Sequence, residues 1–236
     1  MTWDSAIHVY AGPSCHAELL GTDLVLHPPA AAGDMARRCG DAPCTIVLID
    51  GYFGHVRSPW HKEILHLMSL GFRMIGAASM GALRAAELDS AGMLGIGAIY
   101  HGFRTGLLTG DDEVALVHAP KELRYRPLTM ALVDVRAKLV EEVRARRLSP
   151  ATARHMVEDA RAVPFSIRDA RCLADMARRH NAPPDLLDPA APGLKARDAL
   201  AAIACARAFR HGPAAGAATP PMTVYLRGML ERPRDP

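Results

Sequence analysis

The chain is poor in aromatic residues and carries no marked excess of one charge, no paired-cysteine spacing and no long apolar run. Phe, Tyr and Trp make up 5% of the 236 residues, whereas half of all residues are hydrophobic. A core must therefore come from aliphatic side chains and closely packed helices rather than from stacked rings. Lys and Arg number 28 against 25 Asp and Glu, a formal net charge of +3. Basic residues are dispersed, with only local pairs such as Arg146-Arg147 and Arg178-Arg179. That pattern excludes the clustered positive face of a nucleic-acid binder. The five cysteines (Cys15, Cys39, Cys44, Cys172 and Cys205) show no CxxC spacing. This argues against a zinc site and a disulfide framework, and for reduced thiols in a cytoplasmic protein. No stretch approaches the about 20 apolar residues of a membrane span. The opening "MTWDSAIHVYAGPS" lacks the basic start and apolar run of a secretory signal, so none is expected. No GxGxxG fingerprint follows a strand and there is no Walker-type loop, so no cofactor is expected. The acids and histidines have no diagnostic metal spacing, so no metal is expected either.

What is present is a rhythm. "AIHVYAG" (Ala6–Gly12) reads as a buried strand ending in a Gly-Pro-Ser turn. "CHAELLG" reads as one or two helical turns, "DLVLHPPA" as a second strand and "GDMARRCG" as a short helix. "CTIVLIDG" (Cys44–Gly51) is continuously apolar, as expected of a strand covered on both faces. A helix over Pro59–Leu70 follows, with Ser58 as its expected N-cap and Pro59 at its first position. "FRMIGAA" (Phe72–Ala78) is the next strand, and "MGALRAAELDSAG" the next helix, closed near Gly92. From about Gly95 strand signals fade, and "DDEVALVHA" and the segments after it read as helices. The expected fold class is α/β, with an N-terminal parallel-sheet three-layer core of the flavodoxin/Rossmann type followed by a mostly α-helical C-terminal region. The division expected is a core over residues 1–136 and a helical extension over 137–236 that packs on it.

In an open parallel sheet, ligands gather at the carboxyl ends of the strands. Three groups fall there: Gly12-Pro13-Ser14, Asp50-Gly51 and Ala78-Ser79-Met80-Gly81. "AASMG" is one residue away from the G-x-S-x-G nucleophile elbow, in which small neighbours let a strand turn sharply into a helix and expose the hydroxyl. Ser79 is read either as a nucleophile beside helix-terminal N–H donors or as a plain N-cap. Lys62 and His61 stand in a first helical turn, where a cation opposes the helix dipole. Lys62 or His61 is a candidate base for Ser79, with Glu63 to orient it, and a solvent-facing Lys beside a Glu is the bland alternative. Ser14, Asp50, Gly51, Gly81, Arg84, Glu87, Asp112 and His118 are the candidates for holding substrate or an anion. Arg84 and Glu87, three apart, also read as an ordinary helix ion pair. Asp112 reads equally as a first-turn acid, and His118 as a base or a packed histidine.

The segments "VYAGPS", "PPAAAGDM", "IDGYF", "WHKEIL", "GAASMGALRAAEL", "GMLGIGAIY", "GLLTGDDEVALVHAP" and "YRPLTMALVDVR" together resemble the TfuA-like family, in order and spacing, over Val9 to Arg136. The resemblance implies a partner of YcaO enzymes, which activate a backbone amide with ATP for conversion to a thioamide. It implies that the chain supplies the sulfide by hydrolysing the thiocarboxylate of a small ubiquitin-fold carrier related to ThiS. The partners so implied are a YcaO-type enzyme, the carrier and the precursor peptide, with a homo-oligomer open; no nucleic acid or membrane is expected. A non-catalytic adaptor that docks the carrier or peptide on YcaO is the alternative. The helical tail carries no part of the resemblance.

Overall fold

A computed structural model describes residues 3–15, 21–38, 42–54, 56–209 and 217–231. Its strands are β1 (Ile7–Tyr10), β2 (Val25–His27), β3 (Thr45–Leu48), β4 (Arg73–Ala77) and β5 (Leu94–Ile96). They form one parallel sheet in the order β2-β1-β3-β4-β5. This is the doubly wound flavodoxin-like order, in which the chain reverses direction across the sheet between β1 and β3. A crevice opens at that reversal, outside the carboxyl ends of the strands.

The helices are α1 (Asp34–Arg38), α2 (His61–Ser69), α3 (Met80–Leu88), α4 (Ala98–Arg104), α5 (Leu132–Arg144), α6 (Pro150–Ala162), α7 (Ala170–Arg179), α8 (Leu194–Ala208) and α9 (Val224–Leu230). Successive strand side chains point to opposite faces. Ile46 and Leu48 of β3 accordingly pack with Met35, Ile64, Leu67, Ala82 and Ala85 of α1, α2 and α3. Val47 and Ile49 pack the other way, with Ala199, Ala202, Ile203 and Ala206 of α8. The continuous apolar run of β3 thus serves two helical layers. A third apolar cluster joins α5, α6 and α7 through Leu132, Leu139, Met156, Leu173 and Met176. The α/β core and the helical C-terminal region are both present. The second layer on the sheet, α8, comes from the span expected as an extension.

Several local readings differ. β5 adds a strand where strand signals had faded, because "LGI" is only three residues and one face is open. Residues 98–104, in a glycine-rich stretch, form α4. "DDEVALVHA" makes a single 3-10 turn over Asp111–Glu113 and then runs without helix to an isolated bridge between His118 and Pro127. The N-cap of α2 is Trp60 rather than Ser58, whose hydroxyl instead donates to the Tyr52 carbonyl at 2.9 Å. The turns expected at residues 15–21 lie almost wholly outside the described residues. No helix among the described residues is long and apolar enough to cross a membrane.

The start of α3 lies directly on β3. Gly81 N–H donates to the Ile49 carbonyl at 3.1 Å, and a Cβ at Gly81 would overlap the Leu48 carbonyl. Gly81→Ala should therefore push α3 off the sheet and destabilise the fold by about 3 kcal/mol or more, read as a fall in the urea midpoint.

Candidate active site

The β1 turn is built around one carboxylate. Asp50, just after β3, accepts from Gly12 N–H at 2.8 Å, from Ser14 N–H at 3.0 Å and from the Ser14 hydroxyl at 2.6 Å. Both Asp50 and Ser14 are buried. Ile49 and Asp50 N–H both donate to the Tyr10 carbonyl, so the ends of β1 and β3 are locked together at the crevice.

Next to it, β4 turns into α3. Ala78 has φ 67°, and Ser79 N–H donates to the Ala77 carbonyl at 2.8 Å. A bond spanning two residues with positive φ at a non-glycine centre is the strained γ-turn type. The sharp turn asked of "AASMG" is therefore real, with the strain one residue before the serine. Ser79 occupies the N-cap position of α3, yet its side chain makes no cap hydrogen bond. Gly81 N–H is committed to Ile49, and the N–H groups of Ala82 and Leu83 to the Ser79 carbonyl. The N–H of Met80 has no acceptor among the described residues. It is the donor that follows the nucleophile in an elbow, where an oxyanion rests.

These strand ends border a cleft of about 410 Å³. Its walls include Pro13, Pro29, Asp50, Gly51, Ser79, Val114, Leu116, Val117, His118, Phe165, Ser166 and Lys195. His118 Nδ1 lies 2.8 Å from the Ala119 carbonyl. A carbonyl only accepts, so Nδ1 carries the proton and Nε2 is the bare nitrogen of the neutral ring. The ring packs edge-on to Tyr125 and tilted to Tyr52. No hydrogen bond joins Ser79 to His118 or Lys195 in this structure. Cys15, beside the Ser14 turn, is no rival nucleophile: burial, with a smaller contribution from Asp50, pushes its thiol up to about 11.

The structure brings Ser79, Asp50, Gly51 and His118 to one cleft, with Ser14 behind Asp50. It leaves other candidates elsewhere. His61, Arg84 and Glu87 form a network beside the α2 start: Glu87 Oε2 meets His61 Nε2 at 2.7 Å and Arg84 Nη1 at 2.5 Å, while Arg84 Nε donates to the Pro59 carbonyl. Lys62 is half-buried, makes no ion pair among the described residues and is not on the cleft wall. Asp112 is exposed, and its neighbour Glu113 binds Arg136 through both carboxylate oxygens. Glu63 is fully buried beneath α1, accepting from Gly33 N–H at 2.8 Å and Ala36 N–H at 3.2 Å. It caps α1 and orients no base. Gly81 binds nothing further, for the reason given above.

Sequence reasoning missed Lys195. It stands in the first turn of α8, 2% exposed, with its ammonium donating to the Val114 carbonyl at 2.8 Å. The signal that singled out Lys62, a cation at a helix start, is present in "PGLKARDAL" as well. Among the described residues no group of three His, Cys, Asp or Glu side chains is placed to hold a metal ion.

The family model described as TfuA-like protein matches residues 50–169. The chain belongs to the TfuA-like family. The matched span runs from Asp50 through Ser79 and His118 to the 3-10 turn of Phe165–Ile167, so it carries most of the cleft wall. Lys195 lies beyond it. Membership supports, at a coarse level, an accessory role in peptide thioamidation. No curated protein matches the chain.

Burial raises the Glu63 carboxyl from the usual 4.5 to about 7, against the two N–H bonds that favour its anion. The folded state then keeps a proton that the unfolded chain has released. This contribution to stability is full below pH 4.5 and is lost as pH rises to about 7. Thermal unfolding of Glu63→Gln across that window should lack the decline seen in the parent chain.

Proposed function

We propose that the chain is a hydrolase that releases sulfide from a thiocarboxylated, ThiS-like ubiquitin-fold carrier and delivers it to a YcaO enzyme for backbone thioamidation. The observation that carries the reading is the β4–α3 turn. It presents Ser79, free of any capping duty, to a cleft it shares with His118, next to the Met80 N–H, which has no acceptor among the described residues.

Ser79 Oγ attacks the thiocarboxylate carbon while His118 Nε2 takes the hydroxyl proton. Met80 N–H stabilises the developing oxyanion. Protonated His118 then gives its proton to sulfur, the C–S bond breaks and hydrosulfide leaves. Water, deprotonated by His118, attacks the seryl ester, and His118 returns that proton to Ser79 Oγ as the C–O bond breaks, which restores the hydroxyl and the neutral ring. The sum is thiocarboxylate plus water to carboxylate plus hydrogen sulfide. This assigns the base to His118 rather than to Lys62 or His61, because those two stand off the cleft wall.

A second reading has one observation in its favour. Ser79 has no hydrogen-bonded base in the resting structure, as suits a non-catalytic adaptor that docks the carrier or peptide on YcaO. A single assay separates the two: hydrosulfide release from thiocarboxylated carrier, with and without YcaO. Ser79→Ala should lower release by about 10³-fold and His118→Ala by about 10²-fold, with unchanged circular dichroism. Binding of carrier with no hydrosulfide released under either condition selects the adaptor.

A further inference from the structure

Lys195 is a buried cation that makes no ion pair among the described residues. Its ammonium carries three donors, and the Val114 carbonyl takes one. The two nearest acids are committed elsewhere. Asp50 serves Gly12 and Ser14, and Asp134 accepts the backbone N–H of Lys195 at 3.0 Å instead of its ammonium. The positive end of the α8 dipole adds to the charge. A buried, unpaired charge is costly, and an apolar side chain of the same length would serve packing better. Burial lowers the lysine's pKa, while Asp50 and Asp134 oppose that shift.

The surroundings say what would complete it. Lys195 is part of the wall of the 410 Å³ cleft and also of a neighbouring pocket of about 40 Å³ beside Ser14 and Asp134. No other lysine or arginine is on either wall. Tyr52, Phe53, Val114, Leu116, Val117 and Phe165 make the cleft largely apolar. A phosphate chain would call for several cations or a glycine-rich cradle. One buried cation in the wall of a largely apolar cleft fits one monoanionic group at the end of an extended chain.

We infer that Lys195 is the recognition point for a peptide's free C-terminal carboxylate or thiocarboxylate, and that the helical tail supplies it to a cleft built mostly from the matched span. This deepens the hydrolase reading by naming the feature of substrate that is selected, but it concerns binding and needs no turnover. Lys195 acts on the terminal anion, so the cleft discriminates against the same peptide as an amide or ester.

Calorimetric titration with an acetylated pentapeptide ending in a Gly-Gly carboxylate, and with its C-terminal amide, tests this. The intact chain should bind the carboxylate at least about tenfold more tightly, and Lys195→Met should bind both forms equally, at the amide's affinity. Lys195→Arg should keep part of the preference. Equal binding of the two peptides by the parent chain overturns the inference, whatever the variants do, as does a preference that survives in a folded Lys195→Met. Binding of inorganic phosphate in place of the peptide carboxylate, displacing it at equal concentration, also overturns it. A chain that prefers the carboxylate yet releases no hydrosulfide retains this site and loses the hydrolase reading.

Discussion

The buried carboxylate of Asp50 organises the carboxyl edge of the sheet. It gathers two backbone N–H groups and a hydroxyl from the β1 turn, while its own backbone joins neighbouring strand ends through Tyr10 and Ala30. Without it, the Gly12 and Ser14 N–H groups would be buried with no acceptor, at a cost of about 1–3 kcal/mol each. The cleft exists where it does because the chain reverses direction between β1 and β3, and Asp50 closes the floor of that reversal. Ser79, on the next strand, is placed relative to this floor by the close contact of Gly81 with β3.

The same device recurs at a distance. Asp134 caps α8, and Asp198 of α8 accepts from Ala98 N–H at 3.1 Å and Ile99 N–H at 2.8 Å at the start of α4. Glu63 does the same for α1. In each case a helix N-terminus lacking a local capping side chain receives a carboxylate from a distant part of the chain. All three carboxyls are shifted upward by burial, so the caps favour orientation at some electrostatic cost. Asp134 of α5 and Asp198 also tie α8 to α5 and to the start of α4, and the first of these bonds is made at Lys195 itself.

Much of this was legible from local pattern. β3 and β4 were readable because strands buried on both faces have continuous apolar runs. The β4–α3 turn was readable because small residues around Ser79 let a strand turn sharply into a helix. The caps of α6 and α7 are local, with Ser149 accepting from Thr152 N–H and Asp169 from Cys172 N–H. Where no local side chain caps the helix, local reading went astray. Ser58 is not the cap of α2, and Glu63, beside a tempting lysine, belongs to α1. Lys62 and Lys195 break the same dipole rule, and only packing separates the half-buried side chain off the cleft from the buried one within it.

The sequence by itself determined the alternation of strands and helices, the family, and the serine turn, because each depends on residues close together in the chain. Tertiary structure alone decided which charged side chains meet the cleft. It placed His118, on an irregular segment, in the wall of the cleft that Ser79 lines, moved His61, Arg84 and Glu87 to a network of their own, and brought Lys195 from the helical tail into the same wall as Asp50. Such placement follows from the strand order and from the docking of α8 on the sheet. The docking is settled by burial of apolar faces contributed by residues more than 100 positions apart, such as Val47 and Ala199, and no local spacing records that.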